Sequence, residues 1–336
     1  MAICLKNWGS CIVFRPFNGE IPQSLVNMSN LKILDLGYNQ LFGQIPSSIF
    51  KITSLKGIYL DNNSLSGSLP HDLCIHLPKL EMFYLDTNEL SGHIPPSIGR
   101  CSNLQILALS INKFDGIILR SIGNLTRLEE IYLGVKFYMK LAISLIWRYW
   151  VISLFRNSLS DGLHDDLCHQ LPKFEVLQLH KNELYGNIPP SIGRCSSLQG
   201  IPPISHEGGR LRSLNLNGNQ LEGSIPTSFV NCKSLQVLDL GNNNLNDSFP
   251  YWLGKLPNLQ VLVLRSNRFH GRIQDFNATF SFSSLRLIDL SQNDFTGRIP
   301  PALFDNLKAM WDPNHLHQKL LNMTILKQHC FGKLQQ

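Results

Sequence analysis

Apolar residues recur along this chain in a fixed frame. From Leu31 the sequence runs LKILDLGYNQLFGQIP, and the same LxxLxLxxNxLxGxIP frame returns at Leu55, Leu80, Leu104, Phe174, Leu211, Leu235, Leu259 and Leu285. A half copy, FNGEIPQSLVNMSN, precedes them from Phe17. The typical step is 24 residues, as from Asn39 to Asn63. Alternation within LxxLxL predicts a short strand with its leucines on one face. The asparagine that ends each strand (Asn39, Asn63, Asn88, Asn112, Asn182, Asn219, Asn243, Asn267, Asn293) can bond backbone groups of neighbouring coils. Glycine in GxIP permits a tight bend, and proline stops the strand from continuing. One coil cannot bury its leucine face alone, whereas coils stacked at about 4.8 Å can.

The predicted fold is therefore an α/β solenoid: a leucine-rich-repeat right-handed superhelix with a parallel sheet on its concave face and short 3-10 or helical turns on the convex side. The chain divides into a non-repeat segment at 1–16, a first block of repeats at 17–134, an apolar insertion at 135–155, a second block at 156–310 and a non-repeat tail at 311–336. Asn112 and Asn157 are 45 residues apart, and deleting Val135–Phe155 gives LEEIYLGRNSLSDGLHDDLCHQLPK, a near copy of LKGIYLDNNSLSGSLPHDLCIHLPK. The insertion, VKFYMKLAISLIWRYWVISLF, is interrupted by Lys136, Lys140 and Arg148, which argues against a membrane span. A translated intron is favoured, followed by a bulged amphipathic loop. A shortened coil is expected at 198–210, where LQGIPPISHEGGR replaces a repeat.

Composition narrows the function. Charged residues make up only 16% of the chain, and the net charge of +6 includes no run of five or six basic residues, so a nucleic-acid footprint is not expected. Of the eight cysteines, Cys101, Cys195 and Cys232 share one repeat position, and Cys74 and Cys168 share another. Equivalent positions in different coils lie apart, so most are expected as buried single thiols. Catalytic and metal sites are not expected. HisGlu at 206–207 lacks the second His of a zinc helix, and His315, His317, His329 and Cys330 match no standard spacing. No cofactor is implied.

Function is expected on the concave face, at the residues between the leucines. Tyr59, Tyr84 and Tyr132 fall at one position of nearby coils, with Gln178 next in the column and Asp61 and Asp86 two residues on. Tyrosine offers contact area and a hydroxyl handle, so this column suits a peptide or glycan, although tyrosine also simply suits exposed strand positions. His180 and Arg265 are further surface candidates. Asn-x-Ser/Thr sequons at Asn27, Asn62, Asn124, Asn246, Asn277 and Asn322 point to a secreted glycoprotein, with Asn62 placed on the concave face.

The LxGxIP ending resembles the plant-specific leucine-rich repeats of extracellular receptors. LEGSIPTSFVNCKSLQVLDLGNNNLNDSFPYWLGKLPNLQVLVLRSNRFHGRI, followed by LRLIDLSQNDFTGRIPPALFDNLKAM, resembles the ectodomain of plant receptor-like proteins of the disease-resistance type, over about Phe17 to Met310. That resemblance implies an apoplastic ectodomain at the plasma membrane, carried on a membrane helix. It would bind peptide, protein or glycan ligands, act in defence or development, and signal through a partner receptor kinase. It also implies a signal peptide and a Cys-paired cap, of which Cys4, Trp8, Gly9 and Cys11 are the trace. MAICLKNWGSCIVFRPF is a poor signal peptide, and the tail WDPNHLHQKLLNMTILKQHCFGKLQQ fits no expected continuation, so truncation at both ends is expected. The alternatives are a soluble cell-wall inhibitor similar to the polygalacturonase-inhibiting proteins and a non-functional gene fragment.

Overall fold

The structure, a computed structural model, describes residues 3–5, 10–12, 17–134, 157–164, 174–194, 210–273 and 282–297. Each LxxLxL frame folds into a three-residue strand, and these strands stack in chain order into one sheet. It runs from Ile3–Leu5 and Ser10–Ile12 through Ile33–Asp35, Gly57–Tyr59, Met82–Tyr84, Ile106–Ala108 and Glu130–Tyr132 to Val176–Gln178, Ser213–Asn215, Val237–Asp239, Val261–Val263 and Leu287–Asp289. Only the first pair is antiparallel; every later pair is parallel and in matched register. The N-terminal hairpin thus lies along the edge of the repeat sheet.

A second sheet, absent from the sequence expectation, runs along the flank. The xLxGx segments pair in parallel, from Asn18–Glu20 and Gln40–Gln44 through Lys113–Ile117 to Gln220–Gly223 and Asn244–Leu245. The repeat glycine takes φ between 75° and 86° in Gly43, Gly67, Gly92, Gly116, Gly186 and Gly223, a region that side-chain-bearing residues avoid. Short 3-10 helices such as Pro96–Arg100, Arg120–Asn124 and Thr227–Asn231 follow on the opposite side. A 3-10 turn is bulkier than a strand, so the strand side closes up and becomes the concave face.

Between the layers lies one continuous core of leucine, isoleucine and phenylalanine. The repeat asparagine is buried beside it and ties coil to coil. Asn112 shows the arrangement: its Oδ1 accepts the Leu90 N–H of the preceding coil at 3.0 Å, and its Nδ2 donates to the Leu85, Leu109 and Ser110 carbonyls at 2.9, 3.1 and 3.1 Å. Asn157 occupies the next rung, accepting from Phe114 N–H at 3.0 Å. Asn219 follows Asn182 directly, accepting from Leu184 N–H at 3.1 Å. Both irregularities of the array therefore leave the ladder intact.

The cysteines depart from expectation. Cys74 and Cys101 form a disulfide across neighbouring coils. The bridge joins two non-equivalent repeat positions, which the comparison of equivalent ones overlooked. They are 27 residues apart, and the chain returns close to the same point after one coil. Cys232 does fit expectation, as a buried free thiol.

Candidate functional site

Sheet register places Tyr59, Tyr84 and Tyr132 in one column of the concave face. Ala108 stands between the second and third, and Gln178 follows. The column includes Asp35, which is in register with Ile12, and continues past Gln178 to Asn215, Asp239, Val263 and Asp289. Strand spacing alone sets adjacent coils about 4.8 Å apart. The rings of Tyr59 and Tyr84 use that spacing to stack, with centroids 5.1 Å apart and planes 12° from parallel.

Neighbouring residues hold the rings. Tyr59 donates its hydroxyl to the Met82 sulfur at 2.7 Å, and Tyr132 donates to Glu130 Oε2 at 2.8 Å. Gly57 makes room for the first ring, since a Cβ there would lie 2.7 Å from Tyr59 Cε2. All three phenols are held above their ordinary pKa of 10.0. Burial is the main cause for each. Asp35, Asp61 and Glu81 add to it for Tyr59, Glu130 leads the additions for Tyr84, and the hydrogen bond to Glu130 does so for Tyr132. Gln178 donates to Ser213 Oγ at 3.0 Å.

The neighbouring column corrects part of the sequence expectation. Asp61, Asp86 and His180 were expected at the surface, but each is buried. Side chains here lean back over the preceding coil. Asp61 Oδ1 lies 2.9 Å from where a Cβ on Gly37 would sit, and at Gly134 the His180 backbone lies nearest such a Cβ, with the ring Nδ1 at 3.0 Å. Asn62 donates to Asp61 Oδ2 at 2.9 Å. Arg265 is partly exposed and faces Asp289 at 3.8 Å.

Sequence reasoning missed a polar cluster in the later coils. Asp239 accepts from Asn217 Nδ2 at 2.9 Å and from Gly241 N–H at 3.1 Å. Burial pushes its carboxyl above the usual range, while the bonds from Asn217 and Gly241 pull the other way. The signal was present in the recurring aspartate of LDL and IDL, because Asp35, Asp239 and Asp289 each cap the backbone two residues on.

Among the sequons, Asn27 and Asn124 end 3-10 helices on the convex side and are exposed, as is Asn246. Asn62 is half-buried at the concave edge, with φ 55°. Asn277 and Asn322 lie outside the described residues, as does the histidine-containing tail. Among the described residues, no helix is long and apolar enough to cross a membrane.

Residues 29–90 and 209–269 match one leucine rich repeat family model, and residues 284–306 match a second. Receptor-like protein 32 of Arabidopsis thaliana is 42% identical over 145 residues, covering 40% of this chain. The chain is a homologue of the plant leucine-rich-repeat receptor-like proteins. It spans only 16% of the length of receptor-like protein 32 and 14% of receptor-like protein 18 from the same plant. Among solved structures, the Arabidopsis receptor kinase HAESA, in complex with the peptide hormone IDA and the co-receptor SERK1, superposes with a TM-score of 0.74 at 26% identity. The superposition covers 92% of this chain and 46% of that one. A TDR receptor matches with a TM-score of 0.70 at 28% identity, over 86% of this chain and 43% of its own. The solenoid with its parallel sheets and 3-10 turns is thus the architecture of receptor ectodomains.

Proposed function

We propose that the concave face of this chain recognises an extracellular peptide, and that the receptor containing it signals through a partner receptor kinase. The observation that carries this reading is the tyrosine column, with its stacked Tyr59–Tyr84 pair, on a sheet face that no other element of the described fold covers. Rigid, partly buried aromatic side chains supply binding energy at low entropy cost. The likeness to HAESA, whose structure holds a peptide hormone and a co-receptor, supports a peptide over a glycan. An extracellular location at the plasma membrane is supported by the Cys74–Cys101 disulfide, since such bonds persist in oxidising compartments, and by the exposed sequons.

A reconstitution experiment tests this reading. The chain is placed in a membrane-anchored receptor-like protein frame, expressed in leaf cells and exposed to the peptide-sized fraction of apoplastic fluid. Association with a SERK-type kinase should rise on exposure and should be lost in the Tyr59→Ser/Tyr84→Ser/Tyr132→Ser variant. Association that ignores both the fluid and the variant would remove the concave face from the mechanism.

A further inference from the structure

The concave face of the earlier coils has the opposite charge to the chain as a whole. The chain carries a net charge of +6. Yet between the strands Ile33–Asp35 and Glu130–Tyr132, this face presents Asp35, Glu81, Glu129 and Glu130 against Lys32 and Lys56, with the buried carboxyl groups of Asp61 and Asp86 behind it. Lys56 is already engaged, 2.8 Å from Glu81. Carboxylates around the column also help to hold the phenols of Tyr59, Tyr84 and Tyr132 protonated, so the field reaches the rings themselves.

We infer that the ligand of this face is a cationic peptide, which places lysine or arginine side chains against the tyrosine rings and the surrounding carboxylates. This assignment rests on the concave-face reading above and adds the chemistry of the occupant. A cation within about 6 Å of a tyrosine ring gains from the ring quadrupole. Charge-assisted bonds to carboxylates such as Glu129 and Glu130 strengthen the same contact. An acidic peptide or a polyuronide meets like charge here and is repelled, which sets specificity as well as affinity.

The test is a random 12-residue peptide display library selected on the secreted, glycosylated chain. Enriched peptides are then measured individually at low and physiological salt. The expected pool has a raised net positive charge, and its members lose binding to the Tyr59→Ser/Tyr84→Ser/Tyr132→Ser variant. The Glu81→Gln/Glu129→Gln/Glu130→Gln variant, which keeps side-chain size, should weaken binding about tenfold, and salt should weaken it further. Neutral or acidic peptides that need the tyrosines would overturn the charge assignment while leaving the concave-face reading standing. Basic peptides indifferent to the glutamine variant would mean adhesion elsewhere and would overturn the assignment. A pool no richer than that from the tyrosine variant would sink both. Thermal melts of each variant separate lost binding from lost folding.

Discussion

Phe114 donates its backbone N–H to the side chain of Asn157, forty-three residues further along the chain, at 3.0 Å. In regular coils the same bond spans 22 residues, as from Leu41 to Asn63. Asn157 also donates to the Leu109 and Leu133 carbonyls at 3.1 and 2.7 Å, so its rung is complete without residues 135–155. Deleting Val135–Phe155 should leave the far-UV spectrum and the single melting transition unchanged. Shorter loop closure should add stability of about 1 kcal/mol or less. A chain that no longer melts cooperatively after the deletion would show that the segment is part of the coil.

The asparagine ladder should be the most sensitive feature of the fold. Asn112→Ala strands the buried Leu90 N–H and removes donors from three carbonyls. An unsatisfied buried group costs about 1–3 kcal/mol, and here several share the loss, so about 3 kcal/mol is expected in urea unfolding. Asn112→Asp keeps the acceptor but loses the donors and buries a charge, so it should be at least as damaging. A loss below about 1 kcal/mol for both would mean that water replaces the amide.

Ile111 sits just before Asn112 with φ 51°, in the left-handed region that β-branched residues avoid. Tyr38, Asn62, Thr87, Lys181, Asn242, Ser266 and Gln292 hold the corresponding place with φ between 52° and 59°. The next coil fixes the geometry, through bonds such as Ile111 N–H to the Gly134 carbonyl at 3.1 Å. Ile111→Asn should therefore stabilise the chain by about 1 kcal/mol, because asparagine tolerates this region. A neutral or destabilising result in the same urea series would show that packing around Ile111 outweighs the strain.

The period of the leucines and asparagines made the coil, its inner strand and its buried ladder legible, because each depends on residue type at a fixed spacing. The flank sheet was not legible. Most of its strands carry a single buried leucine among small and polar residues, as in Ser64–Gly67, with little of the usual strand signature. Register gave the tyrosine column correctly. Burial of Asp61 and His180 depended on Gly37 and Gly134 one coil earlier, a relation between coils that position within one repeat does not reveal. The disulfide was hidden because like positions were compared with like. The 27-residue interval that joins Cys74 to Cys101 recurs in sequence between Cys168 and Cys195, which lie outside the described residues.

Glycan mapping of the secreted chain should separate the sequons by geometry. Asn27, Asn124 and Asn246 are exposed, so all three should carry glycans. Asn62 is half-buried, left-handed and bonded through Nδ2 to Asp61 at 2.9 Å. It should be unoccupied, and Asn62→Gln should not alter gel mobility. Mass spectrometry of the deglycosylated peptides reads this directly. A glycan at Asn62 would place a sugar beside Tyr59 and argue against ligand contact at that end of the column.

Cys232 gives the chain an alkaline limit. Burial pushes its thiol from 9.0 up to about 12, only partly opposed by the nearby Lys233. Below pH 9 the thiol is protonated in both the folded and unfolded chains and does not change stability with pH. Between pH 9 and about 12 the unfolded chain loses the proton while the folded one keeps it, so stability falls as pH rises through that window. The raised phenols of Tyr59, Tyr84 and Tyr132 act in the same direction, but only above their ordinary value of 10.0. Among the described cysteines, the interval from pH 9 to 10 therefore singles out this thiol. Urea unfolding there should weaken with pH in the native chain and weaken less steeply in Cys232→Ala, despite the lower overall stability of that variant. Cys232 of the folded chain should also resist a thiol-specific reagent at pH 8, read by peptide mapping, until denaturant is added. Rapid labelling of Cys232 without denaturant, or an equal slope in the alanine variant, would show that the thiol is accessible and takes no part in the alkaline loss.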